Sequence, residues 1–256
     1  MKVSIVSIFP EIFTSFLETS LIGKAQTNWH LEVKLYNPRE KCTDPHQQID
    51  DLIYGGWAGM LLKAEPIIDT VEEIIKNEWE NSDFSILFPA PSETLFSQKI
   101  AYWQSKKDHI IFICGRYEGI DHRCELYFQK KYPSAFKKLS LGQFIVLGWE
   151  TPTMLMIEAI TRLIPWVIKE KQSRIEESYA IKDGMLNLEA PNYTRPEVVY
   201  DMKVPEILLS GNLEEIKQRK SEPAFYPLNF TCRSNQKVIT ENRSRLSDIC
   251  REDIHS

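Results

Sequence analysis

The stretch DHIIFICGRYEGIDHRCE, residues 108–125, holds the two features that decide the fold. It begins with a run of apolar, mostly β-branched residues, Ile110 to Ile113, which is typical of a strand buried on both faces. A cation, an aromatic residue and a carboxylate then stand between two glycines, Gly115 and Gly119. Because glycine tolerates positive φ and lets a ligand approach the backbone, these residues predict a loop that binds a small ligand. An ordinary turn at the end of a strand explains the loop equally well when it is taken alone.

Strand-like and helix-like segments alternate on both sides of this stretch. Short apolar runs predict strands, and apolar residues spaced three and four apart predict helices. The predicted strands are residues 2–9, 30–36, 84–88, 110–113 and 144–147, and the predicted helices are residues 11–26, 66–79, 98–106 and 151–164. This alternation is typical of an α/β fold with a parallel sheet and helices on both faces. Ligands of such sheets bind beyond the carboxyl ends of the strands, which is where the loop after Ile113 falls.

The chain changes character after residue 168. Residues 169–190 are polar and weakly patterned, which predicts a flexible linker or lid between two domains. Residues 191–256 contain short charged segments, and we expect a small all-α domain there. Between residues 217 and 251, eight lysines and arginines stand against three acids, so this part offers a local basic surface.

Composition excludes several classes of protein. Hydrophobic residues make up 43% of the chain and charged residues 26%, as in a folded globular protein and unlike a disordered one. The net charge of -5 gives no overall attraction to nucleic acid. No apolar stretch is long enough to cross a bilayer, and the N-terminus lacks a signal-peptide pattern, so we expect a cytoplasmic protein with no membrane partner. The five cysteines lack the spacing of a zinc or redox motif, which predicts reduced thiols and no metal site.

Three further segments concentrate glycine, proline and polar residues. Residues 50–66 place three glycines after two adjacent acids, residues 140–165 place a glycine-bounded run before a helix, and residues 189–220 form a long connection with three prolines. Loops of this kind often carry function. Each segment also has a simpler explanation. The first can be an ordinary surface loop, and the second a helix whose C-terminal arginine complements the helix dipole. The third can end in a helix whose charged residues are simply solvated.

Taken in order, the motifs in these segments resemble those of the bacterial tRNA (guanine-N1)-methyltransferase family. The matching motifs are IVSIFPEIF, DDxxYGG, ICGRYEGID, SLGxFIVLG, ITRLIP and NYTRPEVxxDMKVPEILLSGN, which together span roughly residues 1–220. The resemblance implies a SPOUT-type α/β domain with a deep trefoil knot in residues 1–168, an obligate homodimer, and a tRNA-binding C-terminal domain in residues 191–256. It also implies methyl transfer from S-adenosylmethionine to N1 of the guanosine at position 37 of tRNA, 3′ of the anticodon, with Mg²⁺ as an assisting ion.

The resemblance also implies roles for individual residues. Glu177, in the lid, matches the family's general base, and Arg162 matches the arginine that assists it. The residues that match the cofactor-binding loops are Pro91, Gly115, Tyr117, Glu118, Gly119, Ser140, Leu141, Gly142, Leu147 and Gly148. The residues that match tRNA-binding positions are Asp50, Gly59, Arg195, Ser210 and Asn212. Arg116 and Asp121 receive no role beyond fixing the turn or a contact between subunits.

The chain departs from the family pattern at several of these places. Glu177 stands where the family usually has aspartate, which moves the carboxylate out by one methylene. Trp149 replaces a glycine beside the cofactor loop, and Gln143 replaces an aspartate. The family's loop Gly-Gly-Gly-Pro-Gly-Met is GGWAGM here, residues 55–60, and two prolines interrupt the basic helical pattern after residue 220. Two alternatives therefore stay open: a degenerate relative that binds tRNA or the cofactor with little transfer, and a SPOUT methyltransferase for another RNA.

Overall fold

The computed structural model describes residues 1–78, 83–168, 181–182, 185–186 and 190–216. Backbone packing divides the chain into two compact units, residues 1–186 and residues 187–256. The division falls inside residues 169–190, for which the sequence predicts a linker or lid.

Strands and helices alternate along the first unit. Its strands are β1 (Lys2–Val6), β2 (Glu32–Tyr36), β3 (Asp50–Leu52), β4 (Met60–Leu62), β5 (Phe84–Pro89), β6 (His109–Ile113), β7 (Phe136–Leu139), β8 (Ile181–Lys182) and β9 (Met185–Leu186). Its helices are α1 (Thr14–Glu18), α2 (Ser20–Thr27), α3 (Ala64–Glu78), α4 (Gln98–Gln104), α5 (His122–Lys131) and α6 (Glu150–Thr161), with short 3₁₀ helices at Pro10–Phe13 and Pro38–Lys41.

Five parallel strands form the main sheet in the order β2-β1-β6-β5-β7. The side chains of the central strand β6 point alternately into two hydrophobic cores, one on each face of the sheet. Ile110 and Phe112 pack with α1, α2, α4 and α6, while Ile111 and Ile113 pack with α3 and α5. Both faces of β6 are therefore buried, which is the reason that its apolar run is unbroken. The predicted α/β fold, with a parallel sheet and helices on both faces, is confirmed.

The strand predicted at residues 144–147 is wrong. These residues lie in a loop, where Ile145 is 84% and Leu147 is 93% exposed. The strand that completes the sheet is β7, which the pattern did not indicate because Lys137 and Lys138 occupy its centre. β7 lies at the sheet edge, where charged side chains still reach solvent. The apolar run has high strand propensity, but hydrogen bonding to β5 decides which segment becomes a strand.

Two further elements were absent from the predicted pattern. One is helix α5, which Asp121 caps by accepting a hydrogen bond from the Arg123 N–H at 2.9 Å. The hydrogen-bonded Arg123 guanidinium lowers the pKa of the Asp121 carboxyl. An aspartate at the N-cap was a signal available in the sequence. The other element is the antiparallel hairpin β3–β4, whose tip is residues 53–59.

The described part of the second unit contains a hairpin and a short helix. Strands β10 (Val198–Val199) and β11 (Met202–Lys203) pair antiparallel, and helix α7 (Glu206–Leu209) follows. The sequence did not predict this hairpin. The hairpin shows that the predicted all-α character is wrong for residues 190–216, because Val198–Val199 and Met202–Lys203 pair as strands. For residues 217–256, which include the basic stretch and lie outside the described residues, helical structure stays a prediction. Within the parts of the chain that the structure describes, no helix combines the length and apolar character needed to cross a membrane.

Candidate functional site

A cavity of about 240 Å³ lies at the carboxyl ends of β5, β6 and β7. Three loops wall it, one after each strand, together with the first turn of α6. The lining residues are Pro89, Ala90, Pro91, Tyr117, Glu118, Gly119, Leu139, Ser140, Leu141, Gly142, Phe144, Ile145, Val146, Trp149 and Pro152. This is the edge of a parallel sheet where a ligand is expected.

The cavity brings together most of the residues that the sequence predicted for the cofactor. Seven of them line it, namely Pro91, Tyr117, Glu118, Gly119, Ser140, Leu141 and Gly142. The other three, Gly115, Leu147 and Gly148, are not among the lining residues. Sequence reasoning missed the contribution of Phe144, Ile145 and Val146, because it placed them in a strand.

Gly115 lies directly beneath the indole ring of Trp149. A Cβ atom built on Gly115 would lie 2.8 Å from Cδ2, Cε2 and Cε3 of Trp149, so only a hydrogen fits between backbone and ring. The backbone N–H of Trp149 donates a hydrogen bond to the Gly115 carbonyl at 3.0 Å, and the indole ring meets Phe88 edge-on at a centroid distance of 5.8 Å. The bulky residue that replaces the family's glycine is therefore packed into the wall of the cavity.

We expect Gly115→Ala to destabilise the first unit by about 1–3 kcal/mol, because the added methyl group must displace a packed indole ring. The affinity for S-adenosylmethionine, the cofactor that the sequence resemblance implies, should fall as well, since the displaced ring lines the cavity. Urea unfolding and calorimetric titration would measure the two effects. Made in a Trp149→Gly background, where no ring blocks the added methyl group, the same Gly115→Ala change should cost much less stability. An equal cost in the two backgrounds would contradict this explanation of the contact.

Arg116 joins the loop after β6 to the start of α6. Its Nε lies 2.8 Å from Oε2 of Glu150, whose side chain is only 1% exposed. The contact is an ion pair and not an aligned hydrogen bond, since neither atom meets hydrogen-bond geometry. Ser7 donates a hydrogen bond to the other Glu150 oxygen at 2.9 Å, and the Arg116 guanidinium lies 5.1 Å from the centroid of the Phe9 ring. Arg116 thus neutralises a buried carboxylate and holds the loop in place.

The hairpin β3–β4 is fixed against the same loop. The Glu118 N–H donates to the Met60 carbonyl at 3.1 Å, and the Leu62 N–H donates to the Gly119 carbonyl at 3.0 Å. Gly59 has a φ of +101°, and a Cβ there would lie 2.5 Å from Cγ of Glu118. Gly59, which was predicted to bind tRNA, therefore lies beside a cavity residue. Asp50, predicted for the same role, lies on β3 opposite Leu62.

The remaining predicted site residues lie elsewhere. Arg162 follows the last residue of α6, ten residues beyond Pro152, which places it about 15 Å along the helix from the cavity. Arg195, Ser210 and Asn212 belong to the second unit, where the Asn212 side chain accepts a hydrogen bond from the Glu214 N–H at 3.2 Å. Glu177 lies outside the described residues.

The buried thiols of the first unit are unsuited to act as nucleophiles. Burial raises the pKa of Cys114 and of Cys124 far above the ordinary value of a thiol. Cys114 instead lies 3.2 Å from the Thr153 hydroxyl inside the core. The described ranges contain no group of three or more histidine, cysteine, aspartate or glutamate residues that could hold a metal ion.

The main sheet is parallel, and the loops of three adjacent strands surround a cavity at its carboxyl edge. This is the class of α/β protein in which small ligands bind at that edge of the sheet. Residues 1–227 match the family described as tRNA (Guanine-1)-methyltransferase TrmD. The chain belongs to this family, since the match covers most of its length.

Individual relatives resemble the chain over nearly their whole length. A protein of Dictyoglomus turgidum named tRNA (guanine-N(1)-)-methyltransferase is 40% identical over 225 residues, covering 88% of this chain and 85% of the relative. A protein of the same name from Moorella thermoacetica is 35% identical, covering 99% of this chain and 98% of the relative. Another from Metamycoplasma arthritidis is 36% identical, covering 96% of this chain and 98% of the relative.

Proposed function

We propose that this chain methylates N1 of the guanosine at position 37 of tRNA, immediately 3′ of the anticodon. Membership of the family makes the chain an S-adenosylmethionine-dependent tRNA (guanine-N1)-methyltransferase. One observation carries the assignment of the site. The three loops that hold the family's cofactor motifs come from separate parts of the chain and wall one cavity.

The cavity has a lining that fits S-adenosylmethionine. Ligand pockets are mostly apolar with a few placed polar groups. Leu141, Phe144 and Val146 supply apolar walls, and the carboxylate of Glu118 can accept hydrogen bonds from a ribose hydroxyl or an ammonium group. Ser140 is buried, and its hydroxyl donates to the Gly142 carbonyl at 2.9 Å, which holds the glycine turn in shape.

The reaction moves one methyl group and one proton. S-adenosylmethionine supplies a methyl group that is already activated by the positive sulfonium. When the methyl group leaves, the sulfur becomes the neutral thioether of S-adenosylhomocysteine. Guanine N1 carries a proton at neutral pH, so a base must accept that proton as the new nitrogen–carbon bond forms. We assign this role to the Glu177 carboxylate. The Arg162 guanidinium would stabilise the negative charge that develops on the guanine as N1 loses its proton.

The path of the chain after β7 supports the proposed trefoil knot. β7 pairs only with β5 in the main sheet, yet the chain then returns across β5 to the end of β6, where Gly148 bridges Arg116 and Trp149 bonds to Gly115. Helix α6 next packs into the core shared with α2 and α4. The loop that follows β5 pairs with the start of this return path, since Leu95 bridges Ser140. A chain passing inside that loop would form the knot.

A homodimer would complete the proposed site. Arg162 lies about 15 Å along α6 from the cavity of its own subunit, too far to act there. The loop beside the cavity exposes Phe144, Ile145 and Leu147, and exposed apolar groups of this kind mark protein contacts. A second copy that covers this loop would bring its own Arg162 to the cavity.

Mixing two inactive variants would test this arrangement. Arg162→Ala and Glu118→Lys should each remove most methyl transfer, because one lacks the assisting arginine and the other has an altered cofactor cavity. Co-expressed with different tags, they should form mixed dimers in which one of the two sites is intact. We expect purified mixed dimers to recover activity. Dimers that stay as inactive as the parents would show that Arg162 acts within its own subunit.

The proposed function itself is tested with tRNA transcripts that carry G or A at position 37. With labelled S-adenosylmethionine, we expect incorporation only into the G-bearing transcript, at N1 of that base. Binding of the cofactor without transfer would favour the degenerate relative, and transfer to another RNA would favour the third interpretation. We also propose that Mg²⁺ assists, so EDTA should lower the rate and added Mg²⁺ should restore it.

A further inference from the structure

We propose that Trp57, at the tip of hairpin β3–β4, stacks on an unpaired tRNA base next to the methylated guanine, with Tyr54 as a second contact. This inference rests on the proposed function, and it names a residue that would contact the tRNA substrate. Trp57 stands where the family pattern has a glycine, so the contact belongs to this chain and not to the pattern.

The two aromatic side chains are largely exposed to solvent. Tyr54 is 94% and Trp57 is 77% exposed, although burying such rings is strongly favourable. The hairpin tip, residues 53–59, carries no charged residue. A Cβ on Gly56 would meet nothing within 4 Å, so the tip stands clear of the rest of the unit. Clustered exposed apolar groups are typical of a binding surface.

The position of the tip links it to the cavity. Gly59 packs against Glu118, and the Glu118 N–H donates to the Met60 carbonyl at 3.1 Å. Trp57 is two residues from Gly59, and two residues cannot span more than about 7 Å. The backbone of Trp57 therefore lies within about 7 Å of Gly59, which packs against Glu118, a residue that lines the proposed cofactor cavity.

The chemistry of the substrate favours an RNA base as the occupant. An enzyme that acts on a base takes it out of its stack, which leaves neighbouring bases without a partner. Single-stranded RNA bases stack on aromatic side chains, and this contact tolerates any base because each has a flat π face. An uncharged aromatic tip beside the cavity offers such a face to the nucleotide that flanks the target.

Replacing Trp57 separates stacking from other roles. Because one stacked base contributes about 1–3 kcal/mol, we expect Trp57→Ala to raise the KM for tRNA by about 5- to 140-fold. Trp57→Phe should retain most of the affinity, and Trp57→Leu, which is apolar but cannot stack, should not. Calorimetric titration should show unchanged affinity for S-adenosylmethionine in all three. The matched control is Trp29→Ala, since Trp29 is 90% exposed and lies outside the hairpin.

Several results would overturn the proposal. They are an unchanged KM in Trp57→Ala, equal KM values for the leucine and phenylalanine variants, or loss of cofactor affinity. Light scattering that shows dissociation of a wild-type dimer in Trp57→Ala would overturn it too, because the side chain would then contact a second copy. If wild-type protein methylates no tRNA, the proposed function fails, but filter binding of tRNA by Trp57→Ala still tests stacking.

Discussion

Glu177→Gln is expected to lower the turnover of tRNA methylation by about 100- to 10,000-fold, the range contributed by a general base. Glutamine keeps the size and polarity of the side chain but cannot accept the proton of guanine N1. The affinity for S-adenosylmethionine should be unchanged, because the proposed role of Glu177 concerns the proton of the guanine and not the cofactor. Single-turnover assays with labelled cofactor would measure the loss at saturating tRNA.

The neighbouring residue provides the matched control. Glu176→Gln removes the same charge one position earlier, and we expect its turnover to stay close to wild type. Glu177→Asp restores the residue usual in the family and should retain activity. Full methylation by Glu177→Gln enzyme would rule out Glu177 as the base.

Arg116→Met is expected to lower the free energy of unfolding of the first unit by about 3–5 kcal/mol. Methionine keeps an unbranched side chain like the aliphatic part of arginine. It leaves the buried Glu150 carboxylate without its cation. An unpaired buried charge is strongly destabilising, while the same pair can be replaced by neutral groups at little cost. Urea unfolding would report the loss as a lower midpoint.

Two further variants test whether the unpaired charge on Glu150 causes this loss of stability. Arg116→Met combined with Glu150→Gln should regain much of the stability, because no charge is then left buried. Arg123→Met breaks the exposed pair with Asp121, and exposed pairs contribute little, so its unfolding midpoint should hardly move. If Arg123→Met proved as damaging as Arg116→Met, burial of Glu150 would not be the cause.

Local patterns in the sequence were sufficient for four of the five strands of the main sheet and for helices on both of its faces. The unbroken apolar run of β6 predicted a strand buried on both faces, and the helical periods of α3 and α6 predicted their positions within a few residues. The same local signals were wrong at residues 144–147 and missed β7. An edge strand with two central lysines has no apolar pattern, so only its pairing with β5 identifies it.

The family motifs predicted individual residues of the site, which the periodicity of apolar residues could not do. They named seven residues that line one cavity, although those residues come from three separate loops. They supplied no role for Arg116 and none for Asp121, which caps α5. The assignment of the cavity to the cofactor, and of Glu177 and Arg162 to catalysis, stays a prediction that the experiments above test.

The sequence by itself determined the alternation of strands and helices, the loop after β6, and membership of the family. Only the tertiary structure decided that Arg116 neutralises Glu150, that Trp149 covers Gly115, and that the hairpin brings Gly59 to Glu118. Strand and helix signals come from interactions between near neighbours in the chain, which any short segment contains. These three contacts join segments far apart in sequence, and they form only because the parallel sheet brings the carboxyl ends of its strands to one edge.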